Sequence, residues 1–303
     1  MNRPGSTLSR SGLGYAVAAY GLWGVMPIYF KQIAFVPALD IVAHRIVWSL
    51  LVLAILLTLS RAWDQVRTAL SSGRTLGILL LTALLIATNW LLFVYAINNG
   101  HVLAGSLGYY LNPLANVLLG RFILHERVDR RQWIAVGIAG VGIAILALGA
   151  LGTLWISLTL CVTFATYGLL RKIVAVDSLA GLSIETALLF PAALTWLLIG
   201  GAASAPMFDH APAANALLVA AGLVSTIPLL CFTAAARRLP YSTLGMIQFL
   251  APTLQFILAI TLYGEKVTLP HAIAFGCIWA SLALYVSSLV GKRKKPGPEL
   301  AEP

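Results

Sequence analysis

GSLGYYLNPLANVLLGRFILHERVDRR, residues 105–131, decides how this chain is read. It begins as an apolar helix, carries Tyr109, Pro113, Asn116 and Gly120 through its middle, and stops at a cluster of charge. Those four residues recur at helical spacing and share one face. Pro113 has no N–H to offer the carbonyl of Tyr109, and membrane helices accept a freed carbonyl mainly where it faces protein or a wet cavity. The stretch is expected to line a pathway through a membrane protein. Its HER ending (125–127) is expected to be a cytoplasmic stop that sets orientation.

Composition extends this reading to the whole chain. Of 303 residues, 60% are hydrophobic and 10% charged, against about 25% charged in a soluble domain. Ten segments are apolar over the roughly 20 residues that a spanning helix needs: 12–31, 40–59, 75–98, 101–122, 132–150, 153–170, 181–200, 214–236, 241–262 and 269–290. The first reads as a span and not as a cleaved signal peptide. The net charge of +10 marks cytoplasmic loops and not nucleic-acid binding. Lys and Arg cluster in the tail before residue 12, in 60–74, in 121–131, at 171–172, at 237–238 and after residue 291, seventeen in all. Lys31 and Lys266 alone fall on the other side, with Arg45 inside the second span. Both termini are therefore expected in the cytoplasm, the inner side of a plasma membrane. Residues 1–11 form a polar N-tail and 291–303 a basic, disordered C-tail.

The three cysteines, Cys161, Cys231 and Cys277, sit in apolar runs without CxxC spacing and read as packing residues. No metal or cofactor is expected. There is no P-loop, HExxH or paired intramembrane aspartate, which argues against an ATP-driven pump and against an enzyme.

A shift of 139 residues overlays the two halves without a gap from about residue 79 to 128. Phe93 meets Phe232, Ala96 meets Ala235, Pro113 meets Pro252, and Glu126 meets Glu265. Residues 12–150 and 153–290 then form two five-span repeats, and an odd number of spans inverts the second. Inverted repeats are a recurring plan of secondary transporters, with the site at the repeat interface near the midplane. Tyr109, Pro113 and Asn116 map onto Gln248, Pro252 and Gln255, and Asn89 maps onto Pro228. These residues are candidates for the substrate path, in two helices expected to be broken by their prolines. The bland alternative is that Asn and Gln simply hold helices together.

Other polar residues extend the list. Asp40, His44 and Arg45 occupy the first turns of the second span. Ionisable residues there mark function by default. His44 is a proton-coupling candidate, Arg45 a path candidate, and snorkelling to the interface the alternative for all three. Glu185 is a second proton-coupling candidate, or else the ion-pair partner of Arg171 or Lys172. Trp23 and Trp90 lie well within their spans and suit stacking of a flat substrate; they belong to an aromatic group with Tyr95, Tyr109 and Tyr110. Small-residue stripes at Ala272, Gly276 and Ala280, and at Ala135, Ala139, Gly140 and Ala144, read as close-packing faces or a homodimer seam.

NWLLF (89–93), SLGYYLNPL (106–114) with HER (125–127), HRIVWS (44–49), GLSIET (181–186), PTLQFILA (252–259) and YGEK (263–266) resemble the RarD group of EamA-type permeases over about residues 12–290. The resemblance implies the drug/metabolite transporter superfamily: an all-α membrane protein of ten helices in two inverted repeats, working as a bacterial inner-membrane permease. The expected function is secondary transport of a small metabolite or drug-like solute by alternating access, with export implied by the family. The alternatives are a lipid translocase and a non-transporting scaffold. The expected partners are the solute and the bilayer.

Overall fold

The computed structural model describes residues 9–200, 212–264 and 266–293. They form twelve α-helices: α1 (Arg10–Gln32), α2 (Ala38–Leu59), α3 (Trp63–Ser71), α4 (Gly73–Asn98), α5 (Val102–Phe122), α6 (Arg130–Ala147), α7 (Leu154–Ile173), α8 (Ser178–Thr195), α9 (Pro212–Arg238), α10 (Tyr241–Gln248), α11 (Leu250–Thr261) and α12 (Leu269–Arg293). A 3₁₀ turn joins α6 to α7, and a π turn extends α8. There is no strand among the described residues. Among the described residues, ten spans are long and apolar enough to cross a membrane; α10 and α11 together make one of them. Large apolar side chains such as Leu51, Leu84, Leu91, Val141, Val162 and Leu223 are exposed. In water such a surface would drive association; against lipid it is the expected exterior.

Short connections make sequence neighbours antiparallel. The most extensive contacts, however, cross between the halves of the chain: α6 packs on α12, α5 on α7 and α10, α1 on α9 and α11, and α2 on α8 and α9. One end of the bundle gathers Arg10, Arg74, Arg121, Arg130, Lys172 and Arg238 and is called the basic end below. There α3, unforeseen within 60–74, lays Val66 and Ala69 against Val174, Ala180 and Ile184. In the α6–α12 seam Ala135 and Ala139 are buried, and Ser281 Oγ donates to the Ala135 carbonyl at 2.6 Å. Ala272, Gly276 and Ala280 face outward instead.

The expectation of two proline-broken helices needs correction. α5 runs through Pro113, and α9 through Pro228, without interruption. Only the span containing Pro252 breaks, at Phe249. Pro252 can neither donate to the carbonyl of Gln248 nor pack its ring beneath it. Phe249 N–H reaches Met246 O, three residues back, at 3.3 Å. Both tails' outer residues, Glu265 of the repeat comparison and residues 201–211 lie outside the described residues.

Candidate functional site

A cavity of about 850 Å³ enters the bundle from the end opposite the basic one. Its mouth lies at the connection between α1 and α2, where Lys31 and Phe35 are exposed. Eight of the eleven path candidates line it: Trp23, Arg45, Asn89, Trp90, Tyr109, Gln248, Pro252 and Gln255. Pro113, Asn116 and Pro228 do not; they are buried in helix packing. Of the remaining aromatic residues, Tyr110 lines the cavity and packs on Phe275, while Tyr95 is exposed beside Trp155.

Arg45 is half-buried in the wall and does not snorkel. Its Nε donates to Ser225 Oγ at 2.7 Å, and its guanidinium carbon lies 4.8 Å from the centroid of the Trp90 ring and 5.7 Å from that of Phe30. Such cation–π contacts help hold a charge in an apolar wall. At the deep end, Tyr20, Trp23, Phe164 and Phe232 form a packed aromatic floor, with ring centroids 5.2 to 6.2 Å apart. Tyr167 continues it toward the basic end, stacked on Phe232.

The polar stripe of α5 serves two purposes. At its upper end Tyr109 Oη donates to Asn89 Oδ1 at 3.0 Å; Asn89 in turn donates to Leu160 O and to Thr163 Oγ1, both at 2.9 Å. This chain fixes a tyrosine on the cavity wall. Lower down the same face is the α5–α10 seam. Asn116 Nδ2 donates to Gln248 Oε1 at 2.9 Å. Gly245 is required there because a Cβ would lie 2.8 Å from both the Pro113 carbonyl oxygen and Asn116 Cβ. Gln248 links the two purposes: it lines the cavity and also accepts from Tyr20 Oη at 3.5 Å.

The acids and the histidine are not in the cavity wall. Asp40 Oδ1 accepts from Trp196 Nε1 at 2.8 Å, and His44 Nδ1 accepts from Trp48 Nε1 at 3.2 Å; Asp40 and His44 are both buried. Glu185, 1% exposed, is 3.5 Å from Nε of Arg171, which is 0% exposed. It also accepts from Thr82 Oγ1 at 2.5 Å and Tyr167 Oη at 3.3 Å. Of the two partners named for it, Arg171 makes the pair, whereas Lys172 Nζ donates to Ala236 O and Leu239 O at 2.8 and 2.5 Å. A small cavity of about 20 Å³, the size of one water, adjoins Glu185 and Tyr167. Trp90 and Leu229 belong to both cavities and separate them.

The basic end is shut by contacts that the sequence did not announce. α10 begins after Pro240, which has no side-chain cap to give its first N–H groups. Glu126 supplies one from 115 residues away. Its carboxylate accepts from Tyr241 N–H at 2.5 Å, and from Ser242 N–H and Oγ at 2.9 and 2.7 Å. A carboxylate at a helix N-terminus satisfies orphan donors and meets the positive end of the helix dipole. His125, at φ 55°, makes the turn that aims it. Gly120 leaves it room, since a Cβ there would come within 2.7 Å of Glu126 Oε2. The HER ending is thus more than a stop. The one available sequence signal was Gly264 at the position aligned with His125, since glycine marks a left-handed turn. Tyr241 Oη donates to Ala165 O at 2.7 Å, and Arg237 to Val174 O at 3.3 Å, closing the same end.

The profile of the EamA-like transporter family matches residues 10–148. The chain is 45% identical over 289 residues to "Protein RarD" of Salmonella typhi, covering 95% of this chain and 98% of that one. It is 45% identical to an "Uncharacterized transporter" of Vibrio cholerae, covering 91% and 92%, and 37% identical to "Uncharacterized transporter YojE" of Bacillus subtilis, covering 93% and 95%. A crystal structure with 19% sequence identity superposes with a TM-score of 0.71 over 94% of this chain and 100% of its own, which shows a shared fold. These are families and names of transporters, not of enzymes.

Proposed function

Because the chain belongs to the RarD group of EamA-like transporters, within the drug/metabolite transporter superfamily, we propose that it is a secondary transporter. It moves a small metabolite or drug-like solute across the bacterial inner membrane, in the direction of export, by alternating access. The observation that carries this reading is the cavity of about 850 Å³, which reaches exposed residues at one end and stops at stapled helices at the other. That is the shape of one half-cycle of such a transporter.

Inverted repeats supply the other half-cycle. The helix contacts support them: exchanging the five spans of one half for those of the other turns the α1–α9 contact into α7–α4, and α5–α7 into α11–α1, and all four contacts occur. His125 and Gly264, aligned by the 139-residue shift, both have positive φ, 55° and 65°. The charge distribution supports a cytoplasmic basic end with both termini inside. The path runs past Arg45, Trp90, Tyr109 and Gln248, with Gln255 and Pro252 toward its outer part.

The test has two stages. Metabolite profiling of cells with and without the protein identifies a solute, and its flux is then measured in proteoliposomes. Saturable solute flux is the expected result. Lipid scrambling without solute flux would replace this reading with that of a lipid translocase.

A further inference from the structure

Among the described residues the large cavity is charged in one sense only: its wall contains Arg45, with Lys31 at the mouth, and no Asp or Glu. Arg45 uses Nε on Ser225. Among the described residues its two Nη groups have no hydrogen-bond partner, and no carboxylate forms an ion pair with it. The described acids of this part of the fold are committed elsewhere: Asp40 to Trp196, and Glu185 to Thr82, Tyr167 and Arg171, in the small cavity beyond Trp90 and Leu229. Gln248, whose Oε1 is taken by Asn116 and Tyr20, adds an amide N–H₂ to the same wall.

A guanidinium without a counter-ion in an apolar wall is unfavourable. It also presents a planar fork that matches a carboxylate, sulfonate or phosphate. The rings of Trp90 and Phe30 lie against it, and Trp23, Phe93 and Tyr109 share the wall. Flat apolar groups pack well on such rings, and the volume is that of a site for one small molecule. Resting on the transport reading above, we infer that the solute is an organic anion: its acid group is held by Arg45, and its flat, apolar body lies against the surrounding aromatic rings. Anionic lipid headgroups carry the same acid chemistry, and the experiment separates the two sources.

Three compounds of similar size are compared for binding to the full chain in phosphatidylcholine nanodiscs: p-toluenesulfonate, p-toluenesulfonamide and phenyltrimethylammonium. The expected result is that the sulfonate binds roughly tenfold or more tightly than the sulfonamide, as a charge-assisted fork contact requires, and the ammonium weakest. Arg45→Gln removes the difference, and Arg45→Lys restores part of it. Equal binding of all three, or a preference that survives Arg45→Gln in a folded protein, overturns the inference. Should Arg45→Gln not fold, the charge series on the wild-type chain decides alone. Nanodiscs doped with phosphatidylglycerol should bind the sulfonate unchanged; its complete displacement by that lipid overturns the assignment to a soluble anion. Flux in proteoliposomes distinguishes this inference from the one beneath it. Charge-selective binding without any flux removes the transport reading and leaves the anion site. Flux of the ammonium without sulfonate binding removes the anion site and leaves transport.

Discussion

Glu126→Gln tests the closed basic end. The carboxylate makes three hydrogen bonds to the start of α10, at 2.5, 2.9 and 2.7 Å. A glutamine keeps one carbonyl acceptor and turns its other end toward a backbone N–H as a second donor. At least one charge-assisted bond is lost, worth about 1.5–3 kcal/mol, along with the charge–dipole attraction of about 0.3–1 kcal/mol. The side chain is partly exposed and water compensates in part, so about 2 kcal/mol is a fair figure for the closed state. In a conformation with the basic end open the bonds are broken and nothing is lost. The ratio of the two states should therefore shift roughly 30-fold toward opening at the basic end. The assay is a single cysteine, Ser106→Cys, on the cavity wall, with Cys161, Cys231 and Cys277 replaced by alanine. A membrane-impermeant maleimide added at the cavity mouth should label it markedly more slowly once Glu126 is glutamine. Unchanged or faster labelling in a folded protein would show that the Glu126 contacts do not hold the basic end shut.

Other substitutions separate structural from transport roles. Arg171→Gln leaves the Glu185 carboxylate buried without its charge partner and should destabilise the protein by about 3–5 kcal/mol, read as a fall in Tm in detergent. Glu185→Gln keeps one acceptor for the two hydroxyls that donate to it and strands the buried Arg171 guanidinium, so it should cost a similar amount, and the double variant less than the sum of the two. Where an imposed proton gradient stimulates flux, Glu185→Gln should abolish the stimulation; retained stimulation moves that role elsewhere. Asn116→Leu places an apolar group against Gln248 within the α5–α10 seam and should lower thermal stability by about 1–3 kcal/mol. Gln255→Leu, at the exposed rim where its amide reaches the Trp23 carbonyl, should reduce flux with little change in Tm.

Much of the fold could be read from residue order because a bilayer leaves few options: apolar runs of the right length become helices, and Lys and Arg sort the loops. All ten expected segments have a helical counterpart. What periodicity cannot tell is which partner a face will meet. Tyr109 and Asn116 lie on one polar stripe, yet one contacts the cavity and the other contacts Gln248. Polar spacing is the same for a wet wall and for a satisfied seam. Prolines mark where a bond is lost and not whether the helix yields; α5 absorbs Pro113 while the Pro252 span breaks. The Glu126 clasp was hidden for a different reason. It depends on a left-handed residue that is not glycine and on a partner 115 positions away.

A solute path through the cavity between the two halves predicts that blocking the cavity stops transport. The most direct measurement plugs it. Proteoliposomes carry Ser106→Cys in the cysteine-free background, and flux of the solute found by metabolite profiling is followed before and after reaction with a bulky, impermeant maleimide. A second sample carries Leu148→Cys, on the exposed surface. Flux should stop when Ser106→Cys is modified and continue when Leu148→Cys is modified. Undiminished flux through a fully modified Ser106→Cys protein would exclude the cavity as the path.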